Sequence, residues 1–272
     1  MNPFWRGSPA ISSGCCRLII YRSAIGLVPW LAVALLFSAG NKSGGSDARP
    51  APKRVVIPKL HGPVTVDGDL SEPVWKQAAV ITPFFENDSG QRERGQTELR
   101  LWYDDTAIYL GWICTDKDIQ ATLVERDSDL WMEDAVEFFI TPKALNQYIE
   151  FEWNPLGAVF DAVVQNDLDE KGVSKSFNSH DRSFTAKNMR TAVKVNGTPG
   201  NSSDTDKFWQ VEVMIPFADF GWAAPKPEEV WRGNFYRMNR DKGQPNEFLS
   251  WSPTLLPGFH QPSRFGYLEF GK

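Results

Sequence analysis

Apolar and polar residues alternate one for one through much of the chain beyond residue 98, and a segment patterned this way buries a single face only as a β-strand. In residues 148–154, Ile149, Phe151 and Trp153 share one face, and Glu150, Glu152 and Asn154 share the other. Residues 208–215 set Trp209, Val211, Val213 and Ile215 against Gln210 and Glu212. Residues 135–140 set Val136, Phe138 and Ile140 against Glu137, and residues 98–103 set Leu99, Leu101 and Tyr103 against Glu98, Arg100 and Trp102. Residues 107–113 are almost continuously apolar, as in a central strand, and residues 190–195, 234–240 and 265–270 read as further strands. Turn-forming pairs separate these runs: Asp104-Asp105, Asn154-Pro155, Asn196-Gly197 and Pro257-Gly258. Only residues 72–79, with Trp75 packing inward, and residues 216–220 suggest short helical turns. The pattern predicts an all-β fold, a two-sheet antiparallel β-sandwich of jelly-roll-like form. Residues 166–187 are polar and weakly patterned and read as a long loop or insertion.

Of the 272 residues, 42% are hydrophobic, which suffices for one sizeable core. A net charge of −5 lacks the basic footprint of a nucleic-acid binder. Cys15 and Cys16 lie near the N-terminus and Cys114 stands alone in the body, so no disulfide framework or spaced metal cluster is present in the sequence. Cys114 follows the apolar run 109–113 and is expected to be a buried, inert thiol. At the N-terminus, Arg6, Arg17 and Arg22 precede the apolar residues 25–37 and the small residues Ser38, Ala39 and Gly40. That order matches an export signal, with an uncleaved membrane anchor as the alternative. The expected organisation is therefore a leader over residues 1–40, a Gly-, Ser- and Pro-rich linker over 41–52, and a folded domain over 53–272. The protein is expected to be exported, touching a membrane only through an uncleaved leader.

The sequence holds no Gly-rich phosphate loop, G-x-S-x-G elbow or H-E-x-x-H pair. Its three histidines, His61, His180 and His260, are far apart along the chain. The informative segment is residues 127–137, where Trp131 sits in a loop among Asp127, Asp129, Glu133 and Asp134, just before the strand carrying Glu137. A loop Trp can offer its ring to the apolar face of a sugar while carboxylates orient the hydroxyls. It can also fold back onto the edge of the sandwich. Glu133, Asp134 and Glu137 are also candidates for the paired carboxylates of glycoside hydrolysis. A second aromatic loop, residues 251–266, offers Phe259 as another wall and His260 and Arg264 as hydroxyl partners. Asn239 and Arg240, at the end of a strand, complete the candidate set.

Several segments resemble carbohydrate-binding module family 9. Val66-Asp67-Gly68-Asp69-Leu70-Ser71-Glu72-Pro73-Val74-Trp75 is similar to the family's opening, and Leu101-Trp102-Tyr103-Asp104 with Ala107-Ile108-Tyr109-Leu110 to its paired central strands. The stretch 131–140, Trp209-Gln210-Val211-Glu212 with Ile215-Pro216, the segment 234–240, Trp251-Ser252-Pro253 and Pro262-Ser263-Arg264-Phe265-Gly266 follow in family order. The resemblance spans residues 53–271. It implies a non-catalytic β-sandwich that binds polysaccharide or oligosaccharide, xylan or cellulose for example, alongside secreted glycoside hydrolases in extracellular carbohydrate catabolism. It also implies two aromatic rings sandwiching the sugar, with Trp131 at the first position and Phe259 at the second, where members carry Trp. Glu137 falls on a hydrogen-bonding carboxylate, and Glu152 on a position where members carry a sugar-binding Arg. No cofactor is required, and structural calcium is admitted with no ligands assigned. The same sandwich resembles haem-binding electron-transfer relatives, for which Met132, Met189, Met214 and Met238 stand as candidate ligands.

Overall fold

A computed structural model describes residues 49–272. The expected leader and most of the expected linker lie outside the described residues. No described helix is long and apolar enough to cross a membrane. Fourteen strands are described: β1 (Arg54–Ile57), β2 (Ala79–Ile81), β3 (Phe85–Glu86), β4 (Thr97–Tyr103), β5 (Ala107–Thr115), β6 (Ala135–Thr141), β7 (Gln147–Trp153), β8 (Val159–Leu168), β9 (Ser174–Asp181), β10 (Arg190–Asn196), β11 (Phe208–Pro216), β12 (Val230–Asn239), β13 (Glu247–Ser250) and β14 (Gly266–Phe270). The helical elements among them are short 3-10 turns.

The strands form two sheets. One has nine strands, in the order β1-β14-β12-β6-β7-β8-β9, with β13 and β3 attached beside β12. The other has five, in the order β10-β11-β5-β4-β2. All pairings are antiparallel except β1 with β14, which run parallel. The inward-facing residues expected from the alternation, among them Leu99, Leu101, Val136, Phe138, Phe151, Trp153, Val211 and Val213, meet in one core between the sheets. Cys114 belongs to this core, and burial pushes its thiol up to about 12, which keeps it unreactive at neutral pH.

The structure corrects one expectation. Residues 166–187 are not a long loop, because β8 continues to Leu168 and β9 returns antiparallel to it. The β9 segment is polar because it is the last strand of its sheet and carries no continuous core face. Trp102, which shares a strand face with Glu98 and Arg100, is 1% exposed. It stacks on Tyr109 with ring centroids 3.8 Å apart and meets Trp75 edge-on at 6.0 Å. These rings, with Leu70 and Val74, form a second apolar layer where residues 60–78 cover the outer face of the five-stranded sheet.

The opening motif is explained by one carboxylate. Glu212, on the outward side of β11, accepts hydrogen bonds from the backbone N–H of Asp67 and Gly68 at 2.9 and 3.0 Å and from Trp75 Nε1 at 3.1 Å. Gly68 has φ +86°, and a Cβ there would lie 3.0 Å from the backbone of Val193, so a side chain is excluded on both grounds.

Candidate carbohydrate-binding cleft

The outer face of the nine-stranded sheet is also covered, but incompletely, and a cleft of about 490 Å³ remains there. Its floor comes from β6, β7, β9 and β12. Strand pairing sets Glu137 opposite both Tyr236 and Glu152, Glu150 opposite Phe139 and Ala162, and His180 opposite Val164. These side chains share the face that points away from the core. Glu137, Glu150, Glu152, His180 and Met238 line the cleft from below.

Trp131 contributes one part of the rim. It lies in the short turn Leu130–Met132, whose first residue is fully buried while Trp131 itself is half-buried. Two carboxylates expected to face the ligand instead fasten this turn. Glu133 accepts from the backbone and hydroxyl of Thr122, from Leu123 N and from Asn154 Nδ2. Asp134 accepts from Gln120 N and Arg240 N, each at 2.7 Å. The Arg240 guanidinium donates to the carbonyl oxygen of Trp131. The Trp131 ring packs edge-on against Phe160 with centroids 5.6 Å apart, and Arg182 lies 5.3 Å from its centroid.

Another part of the lining comes from the 254–260 loop. Asn87 fastens it, donating to Thr254 Oγ1 at 2.7 Å and to the Gly258 carbonyl at 3.0 Å. Phe259 stacks on Tyr236 with centroids 4.2 Å apart, and its carbonyl accepts from the Tyr236 hydroxyl at 3.0 Å. His260 Nδ1 lies 2.7 Å from the Tyr148 hydroxyl, and burial lowers its pKa. Asn87, Asp88, Arg240, Phe248, Gly258, Phe259 and His260 complete the lining.

Of the seven residues offered from sequence as sugar partners, Trp131, Glu137, Arg240, Phe259 and His260 share this cleft, and so does Glu152, noted from the family resemblance. Asn239 and Arg264 do not line it. Asn239 is buried between Arg237, which donates to its Oδ1 at 2.7 Å, and Glu247, to which it donates at 3.1 Å. Arg264 is also buried and donates to the Pro50 carbonyl at 2.6 Å. Of the methionines considered as haem ligands, Met238 lines the cleft, Met132 is exposed, and Met189 and Met214 pack against apolar clusters elsewhere.

Glu150 and His180 were missed from sequence. Period two had placed Glu150 beside Glu152, but nothing local showed that the face they share is buried. His180 reaches them only through the β8–β9 pairing, where its Nε2 lies 2.6 Å from Glu150 Oε2. Glu137, Glu150 and Glu152 are each 3% exposed or less by side chain or residue. Desolvation and mutual repulsion hold the Glu137 and Glu152 carboxyls well above the usual carboxylate range. Glu137 Oε2 and both Glu152 oxygens have no hydrogen-bond donor among the described residues. Glu150 lies close enough to Glu152 to share a proton with it, yet an ionised pair brings no donor of its own.

This geometry carries a stability prediction. Glu152→Gln replaces a desolvated, repelled carboxylate with an amide that can donate to its neighbours. In chelator-treated buffer at neutral pH it should raise stability by about 1–2 kcal/mol, measured by urea denaturation. A loss of stability would mean that the Glu152 charge is compensated in a way the geometry does not contain.

The fold has counterparts among solved structures. A Bacteroides uniformis protein described as carbohydrate-binding superposes with a TM-score of 0.63 at 21% identity, covering 81% of this chain and 100% of its own. A family 9 carbohydrate-binding module from Caldicellulosiruptor kristjanssonii, solved with cellotriose, gives a TM-score of 0.53 at 16% identity, covering 81% and 95%. The same organism's family 9 module solved with glucose gives 0.52 at 15%, covering 81% and 97%. At these identities the likeness shows the fold. No curated protein matches the chain in sequence. The family model for carbohydrate-binding family 9 matches residues 86–270, a span that contains every residue lining the cleft, and the chain belongs to that family.

Proposed function

We propose that the cleft captures polysaccharide or oligosaccharide without catalysis, in support of extracellular carbohydrate breakdown by an exported protein. The observation that supports this reading is the half-buried Trp131 lining a partly apolar cleft that Phe259 also lines. An indole and a phenyl ring supply C–H contacts to a pyranose, and Glu137, Arg240 and His260 supply acceptors and donors for its hydroxyls. The Caldicellulosiruptor modules solved with cellotriose and glucose make β-glucans the first ligands to test.

Isothermal titration with cello- and xylo-oligosaccharides should give micromolar to millimolar dissociation constants. Trp131→Ala should weaken binding at least about tenfold, the equivalent of one ring contact of about 1.4 kcal/mol. A variant that binds as tightly as the parent removes Trp131 from the site. Release of new reducing ends from the same oligosaccharides would remove the non-catalytic reading.

A further inference from the structure

We infer that Glu137, Glu150 and Glu152 form a binding site for one hard divalent cation at the floor of the cleft. The inference does not need sugar capture, since it rests on the carboxylates, but it shares Glu137 with that reading. Among the described residues, these three are the group whose potential ligand atoms gather, all within 4.8 Å of one another. A cation bonded to oxygen at about 2.3–2.6 Å holds opposite donors no more than about 5 Å apart, so the spacing suits a single ion.

The spacing is set by backbone pairing. Glu137 and Glu152 face each other directly across β6 and β7, and Glu150 is two residues along β7 on the same face. Both strands lie in the interior of the sheet, so the triad is preorganised rather than dependent on loop closure.

Crowding of acidic residues is not by itself a site; the burial and the missing partners are what point to a ligand. Glu137 is 2% exposed and Glu152 0%, and both line the cavity. Three of their four oxygens have no donor among the described residues. Buried carboxylates are ordinarily paired or bound to metal, because desolvating an uncompensated charge is costly. Arg182 is the cation that acts on Glu152 most directly, yet its guanidinium is spent on the rim, where Nη2 lies 3.0 Å from Asp129 Oδ1 and the group packs over Trp131.

The three ligands are all carboxylates, which favours Mn²⁺, Ca²⁺ or Mg²⁺ over soft ions. His180 acts as a positioning residue, its Nε2 fixing the Glu150 carboxylate at 2.6 Å. Such an ion would offset two of the three negative charges that these glutamates carry when ionised, and water or a ligand hydroxyl could complete its coordination.

The test is titration of Mn²⁺ into the full chain at neutral pH without sugar, followed by electron paramagnetic resonance and calorimetry, with Ca²⁺ and Mg²⁺ in parallel. One ion per chain with a dissociation constant in the micromolar range, weakened at least about tenfold in Glu152→Gln and in Glu137→Gln, is the expected result. Saturation by Ca²⁺ or Mg²⁺ in place of Mn²⁺ supports the same site if both variants lose it. Circular dichroism and urea denaturation show whether the variants keep the fold, so a loss of binding is not mistaken for unfolding. Failure of all three ions to bind the parent at millimolar concentration, or undiminished binding by the double variant, overturns the site. Sugar titrations in chelator and in excess metal separate the two readings: sugar binding that survives while metal binding is absent overturns the ion alone.

Discussion

Arg237→Ala should destabilise the protein by about 3–5 kcal/mol, the usual cost of leaving a buried charge without its partner. Arg237 points from β12 into the end of the sandwich and is 1% exposed. Its Nη2 contacts Asp116 Oδ2 at 3.1 Å, the Thr115 carbonyl at 2.9 Å and Asn239 Oδ1 at 2.7 Å, while Nη1 donates to Thr97 Oγ1 at 3.1 Å. One side chain thus ties the nine-stranded sheet to two strands of the five-stranded one. Removing it leaves the buried Asp116 side chain without its ion-pair partner, holding only Asp118 N and Trp209 Nε1, and empties a large volume of the interior. Urea denaturation measures the loss, and a melting point lower by about 10 °C is the thermal counterpart for a domain of this size. Arg237→Met with Asp116→Asn should recover part of the loss relative to Arg237→Met alone, since the pair is then removed together. If the double variant is less stable than Arg237→Met alone, the Asp116 carboxylate is held by its other donors, Asp118 N and Trp209 Nε1, and does not need Arg237.

Glu212→Ala should cost about 2–4 kcal/mol. The carboxylate satisfies three donors, and its loss leaves the buried Gly68 N–H and Trp75 Nε1 unpaired, at about 1–3 kcal/mol for each buried group. It also releases residues 60–78, which cover Trp102 and Tyr109, so the second apolar layer loosens with the polar anchor. Hydrogen exchange should show this segment losing protection while the central strands β5 and β6 retain theirs. Glu212→Gln keeps one acceptor oxygen and should lose less. Equal losses for Ala and Gln would mean that the segment needs both carboxylate oxygens, and a Gln variant as stable as the parent would mean that side-chain volume, rather than the full set of hydrogen bonds, anchors it.

These two residues show how differently the sequence bears on the parts of this protein. Glu212 and the Asp67–Trp75 stretch were legible as separate family motifs, and the structure joins them at one carboxylate. The strands β4 to β7 and β11 were legible because each carries a continuous apolar face. The β9 edge strand was not, because an edge strand needs no such face and a polar run reads as loop. Trp131 and Phe259 were legible as aromatic residues in turn-rich loops. Arg237 was not singled out, since a lone Arg in a strand reads as solvated until both sheets close around it.

The sequence by itself determined the class of fold, the inward face of most strands and the aromatic rim, because alternation and turn chemistry are local properties that survive in any β arrangement. Only the tertiary structure decided that the polar face of β6 and β7 is buried, and that three glutamates and a histidine from separate strands meet beneath that rim. The reason is that period two records which side chains point the same way. Whether that side meets water, a loop or another carboxylate depends on strand register and on the segments that fold over it, and both are set by contacts distant in the chain.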